Sequence, residues 1–122
     1  MQISLFERLS HRYRLGVVSN FYGNLVAVCR EAGIGSFLSA AVDSAVVGRS
    51  KPHAAIFRAA LERLQVDASE SVFVGDSPER DMAGARRVGM RHVLLAECPG
   101  TATCCCPHDP VIRRLAELEA LL

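Results

Sequence analysis

Four short apolar runs, at about residues 14–19, 40–46, 71–76 and 92–96, alternate along this 122-residue chain with stretches whose apolar residues recur at helical spacing. Each run is too short for a buried helix and rich in Val, Leu, Ala or Phe, which reads as a strand buried on both faces. Strands alternating with helices join most simply as parallel βαβ units. The expected fold is therefore α/β, a Rossmann-like parallel sheet of about four strands with helices on both faces. At this length the chain forms at most one domain, and with half its residues hydrophobic it is not a disordered one.

The intervening stretches carry helix punctuation. Ile3, Leu5, Phe6, Leu9 and Tyr13 share a helical stripe over residues 3–13. Asn24 is placed to cap a helix that runs to Ala32 and stops at Gly33. Pro52 suits the first position of a helix whose stripe is Ala55, Ile56, Phe57, Ala60, Leu61 and Leu64. Residues 97–110 read as an irregular cysteine-rich loop, and Val111–Leu122 as a closing helix with Leu115, Leu118, Leu121 and Leu122 on one face.

Chemistry-bearing residues gather at the strand ends. Ser71–Gly75 empties into Asp76-Ser77-Pro78, and Pro78 opens a helix whose first turn holds Glu79 and Asp81. Val17-Val18 ends at Ser19-Asn20, and Lys51, the only lysine among fourteen basic residues, follows the second run. Parallel strands put their carboxyl ends on one edge, so Ser19, Asn20, Lys51, Asp76 and Asp81 are expected to converge there, where open α/β sheets bind ligands. A hydroxyl, backbone amides and an ammonium donate to phosphate oxygens, and a carboxylate holds a hard cation such as Mg2+. Each residue also has an ordinary structural role: Ser19 as a turn former, Lys51 as a solvated charge, Asp76 as a strand end and Asp81 as a helix-start acid.

The formal charge of +1 offers no bulk attraction for nucleic acid or a membrane surface. No apolar run is long enough to span a bilayer, and the first residues, with Glu7, Arg8, His11, Arg12 and Arg14, lack a signal-peptide core. A cytoplasmic protein is expected. Five cysteines make an odd count, and Cys104-Cys105-Cys106 with Cys98 and His108 lack the paired spacing of a zinc site. Reduced thiols in a loop are expected instead.

The strand-end residues resemble three motifs of the haloacid dehalogenase-like hydrolases, mostly Mg2+-dependent phosphatases. Val17–Asn20 is similar to the second motif, which binds phosphate through Ser19 and Asn20. Lys51-Pro52 with Ile56-Phe57 is similar to the third, whose lysine steadies negative charge. Val72–Asp81 with Gly84, Ala85 and Gly89 is similar to the fourth, in which Asp76 ligates the metal and Asp81 supports it. The resemblance spans about residues 4–96 and implies a small phosphorylated metabolite as substrate and an aspartyl-phosphate intermediate.

The chain departs from that pattern in one place: no Asp-x-Asp occurs in it. In the family this first motif supplies the nucleophile and the acid, on a central strand between those ending at Ser19 and Asp76. The expectation is a partial core, truncated ahead of Met1 and without strand or cap, that is inactive alone and pairs with a missing amino-terminal segment or with itself. Removing a central strand would leave two edges open, and these would close up, be filled, or fold poorly. A non-catalytic module that recruits a partner by strand addition is the alternative. A response-regulator-like domain would need an acceptor aspartate where Ser19 stands.

Overall fold

In a computed structural model that describes residues 3–95 and 110–122, the chain falls into two compact units, 1–65 and 66–122. Among the described residues all strand pairing is parallel, and five strands divide between two sheets, one of two strands and one of three. The α/β class is thus as expected, with the sheet divided.

In the first unit, helix α1 (Ile3–Ser10) leads into strand β1 (Leu15–Ser19), helix α2 (Leu25–Glu31) and strand β2 (Leu38–Asp43). β1 and β2 run side by side so that Ser19 lies opposite Asp43 at their carboxyl ends. Helix α3 (Ser44–Val47) and helix α4 (Ala54–Leu64) complete the unit. α4 packs on both strands and buries Ile56, Phe57 and Ala60, while Arg58, Glu62 and Arg63 face out, as its stripe predicts. Leu5, Leu9, Leu25, Cys29, Ala40 and Val42 fill the rest of this core. Truncating Phe57, which has no exposed surface, would cost about 3–5 kcal/mol.

Three local readings are corrected here. The strand expected over residues 40–46 stops at Asp43, because the Asp43 carboxylate accepts the Ala45 N–H at 2.9 Å and starts α3. Asn24 forms no side-chain cap on α2; the Leu25 N–H donates to Asp43 Oδ2 at 3.2 Å instead. Pro52 is not the first residue of α4. His53 caps that helix, its Nδ1 accepting the Ala55 N–H at 3.0 Å.

In the second unit, strand β3 (Val72–Gly75) passes through one wide helical turn, Pro78–Met82, into helix α5 (Ala83–Arg87) and strand β4 (Arg91–Leu95). β3 and β4 pair from Val72 opposite Arg91 to Gly75 opposite Leu94. The wide turn has i to i−5 bonding: the Met82 N–H donates to Ser77 O at 3.2 Å. Met82, Ala85, Met90, Val93 and Leu94 are buried.

The closing helix expected from Val111 begins later. Val111–Ile112 is a short strand, β5, parallel to β4, with the Leu94 N–H donating to Pro110 O at 3.0 Å. Helix α6 (Leu118–Leu121) follows a single tight turn, Leu115–Glu117. Glu117 Oε2 accepts the N–H groups of Arg113 (2.6 Å) and Arg114 (3.3 Å), which sets the helical start there. The cysteine loop, with Cys98, Cys104, Cys105 and Cys106, lies outside the described residues.

β1 and β3 read as buried strands but are mostly half-buried. Among the described residues each is paired along one edge only, β1 to β2 and β3 to β4.

Candidate functional site

The first unit assembles Ser19, Asn20 and Lys51 around the carboxyl ends of β1 and β2. Asn20 holds the backbone of Lys51 at two points: its Oδ1 accepts the Lys51 N–H at 2.7 Å, and its Nδ2 donates to Lys51 O at 3.4 Å. The bend after β1 is held from the end of β2 and the start of α3. Ser44 Oγ accepts the Phe21 N–H at 2.9 Å and donates to Phe21 O at 3.3 Å. Asp43 Oδ2 accepts the N–H groups of Gly23 at 2.7 Å and Leu25 at 3.2 Å.

Asp43 is a residue beside Ser19 whose part in shaping these strand ends the sequence reading missed. It is 2 % exposed, stands opposite Ser19, and spends its carboxylate on three backbone N–H groups. A buried carboxylate is tolerated when hydrogen bonds replace its hydration in this way. The signal was present as Asp-Ser after an apolar run, a helix-start pair. It also changes the expected chemistry, because the amides of Phe21, Gly23 and Leu25 are committed to Asp43 and Ser44 rather than open to a phosphate.

The second unit places Asp76 and Asp81 on the β3 corner. Asp76 is exposed at the end of the strand, whereas Asp81 is 2 % exposed. Asp81 Oδ2 accepts the Ser77 N–H at 3.1 Å, and Ser77 Oγ accepts the Arg80 N–H at 3.1 Å. The Asp81 side chain lies directly over Gly75, where a Cβ would run into it. Gly75 is therefore glycine because a carboxylate occupies the space of its side chain.

An exposed carboxylate at a strand end is a hard oxygen donor of the kind Mg2+ accepts while keeping several waters. No cluster of three His, Cys, Asp or Glu side chains suited to a metal occurs among the described residues, so Asp76 would be one part of a ligand set. Burial pushes the Cys29 thiol up from its ordinary value, in keeping with a core role in α2. No helix among the described residues is long and apolar enough to cross a membrane.

Comparison with known proteins agrees with the motif resemblance. A family model described as haloacid dehalogenase-like hydrolase matches residues 4–89. The chain is 39 % identical over 108 residues to the haloacid dehalogenase-like hydrolase domain-containing protein 3 of Danio rerio, covering 88 % of this chain and 45 % of that protein. It is 38 % identical over 84 residues to the glyceraldehyde 3-phosphate phosphatase of Pyrococcus abyssi, covering 66 % of this chain and 34 % of that one. Among solved structures, the HAD phosphatase of Thermococcus onnurineus superposes with a TM-score of 0.83 at 28 % identity, over 96 % of this chain and 53 % of that one. The chain thus spans half or less of the length of the curated relatives it matches. With a family model matching residues 4–89, most of its length, this chain belongs to the haloacid dehalogenase-like hydrolase family.

Proposed function

We propose that this chain carries the phosphate- and Mg2+-binding part of a phosphatase acting on a small phosphorylated metabolite. The observation that supports it most is the juxtaposition of Ser19, Asn20 and Lys51 at one pair of strand ends. Ser19 Oγ donates to a phosphate oxygen, and Lys51 balances its charge. Asp76 ligates Mg2+, and Asp81 acts one step back by holding Ser77 and the turn that presents Asp76. The bound Mg2+ supplies charge neutralisation for the transferring phosphoryl group.

Hydrolysis through an aspartyl-phosphate needs a nucleophilic carboxylate and a second acid that protonates the leaving oxygen. No Asp-x-Asp is present to supply them. The reading is therefore of binding without turnover until an Asp-x-Asp segment is provided.

The test is to titrate the chain with inorganic phosphate and Mg2+, then assay p-nitrophenyl phosphate hydrolysis with and without an Asp-x-Asp-bearing amino-terminal segment of the Danio rerio relative. Phosphate binding measurably weakened in Lys51→Ala, Mg2+ binding lost in Asp76→Ala, and turnover only in the mixture are the expected results. Binding that both variants retain would remove the assigned roles. A second reading, a non-catalytic module that takes up a partner strand, is favoured by the single-edge pairing of β1 and β3. It predicts partner capture with no phosphate binding at all.

A further inference from the structure

We propose that Asn20 is a positioning residue for Lys51 rather than a ligand of the bound anion, a refinement that rests on the phosphate-site reading above. A ligand amide would point its Nδ2 at the anion and leave its Oδ1 away from the negative charge. Here both ends of the Asn20 amide are turned onto one residue, with Oδ1 accepting the Lys51 N–H at 2.7 Å and Nδ2 donating to Lys51 O at 3.4 Å. Paired donor and acceptor bonds to one backbone unit fix its orientation as well as its distance, as in a strand ladder.

The sequence around Lys51 explains why such a fastening is needed. Gly48 ends α3 with a left-handed φ of 87°, and α4 starts only at Ala54, so Lys51 stands on a connection outside both helices. Lys51 lies in none of the strands of the described residues. Asn20 follows Ser19 immediately, so tying Lys51 to Asn20 makes the ammonium-bearing loop and the hydroxyl-bearing strand end move as one body. The tie is anchored in turn, since Ser44 holds Phe21 and Asp43 holds Gly23 and Leu25. Asn20 is thus the link through which the phosphate hydroxyl and the lysine keep a constant separation.

The experiment exploits Lys51 being the sole lysine, so that lysine-selective 15N and 13Cε labels give one backbone and one side-chain reporter. In Asn20→Ala the Lys51 amide should exchange roughly tenfold faster or more, as expected for losing a hydrogen bond. Asn20→Asp keeps an acceptor oxygen and should restore slow exchange, and it also serves if the alanine variant fails to fold. Amides of α4 should be unchanged in both. In a parallel titration with inorganic phosphate, Asn20→Ala should bind roughly tenfold more weakly and lose the phosphate-induced shift of the Lys51 Cε signal. The double variant Asn20→Ala/Lys51→Ala should bind no more weakly than Lys51→Ala alone, because Asn20 acts through Lys51.

Additive losses in the double variant would make Asn20 an independent ligand and overturn the proposal, as would a Lys51 amide whose exchange ignores the substitution. A native chain that binds no phosphate would instead overturn the reading of the site. The exchange measurements would then still decide whether Asn20 governs Lys51.

Discussion

Asp43 in the first unit and Gly75 in the second show how single residues set local structure. Asp43 serves the backbone at three places in two elements, and a buried carboxylate so engaged leaves three unsatisfied amides when removed. Asp43→Ala should lower unfolding free energy by about 2–4 kcal/mol, and Asp43→Asn, which keeps one acceptor oxygen, by about half of that. Urea titration measures both, and equal losses would show that the bonds themselves contribute little. Gly75 lies beneath the Asp81 side chain, so Gly75→Ala should destabilise by about 1–3 kcal/mol through overpacking. Adding Asp81→Ala should recover part of that loss, a coupling that a double-mutant cycle reads directly.

Elements in this chain begin and end where side chains meet orphan amides. α2 starts on a carboxylate from β2, α3 on the same carboxylate, and the turn before α6 on Glu117. Hydrogen bonds from the Arg113 backbone and then the Arg114 backbone, aided by the two guanidinium charges, hold the Glu117 carboxyl below its ordinary range despite its exposure. A carboxyl so depressed stabilises the folded segment at and above the ordinary glutamate value and loses that contribution as pH falls below it. Exchange protection of the Arg113 and Arg114 amides, after correction for intrinsic rates, should therefore decline below about pH 4.3. In Glu117→Gln the decline should vanish, and a decline that persists would assign it to another group.

At the scale of the whole chain, each compact unit holds one βαβ pairing and one share of the proposed chemistry: Ser19, Asn20 and Lys51 in the first, Asp76 and Asp81 in the second. Neither contains an Asp-x-Asp. Turnover of p-nitrophenyl phosphate by the chain alone should stay at background at every Mg2+ concentration, since charge neutralisation without the nucleophile leaves the covalent step undone. Turnover above background that falls in Lys51→Ala would show that another carboxylate substitutes for the missing one.

The sequence by itself determined the α/β class, the parallel strands, the stripe of α4 and the strand-end positions of Ser19 and Asp76. These follow from local periodicity and from turn chemistry within a few residues, which any fold must respect. The tertiary structure decided what depends on residues far apart in the chain. Asn24 gave way as a cap to Asp43, eighteen positions from the Leu25 amide it serves. Val111-Ile112 became a strand because β4 offered it a partner. Asn20, expected from the sequence to bind phosphate beside Ser19, acquired its hydrogen bonds from Lys51, thirty-one positions on. The same holds for Asp81, whose burial over Gly75 needed the wide turn to fold back on the strand. A hydrogen bond is worth forming only where folding has removed the competing water, and that removal is a property of the assembled chain.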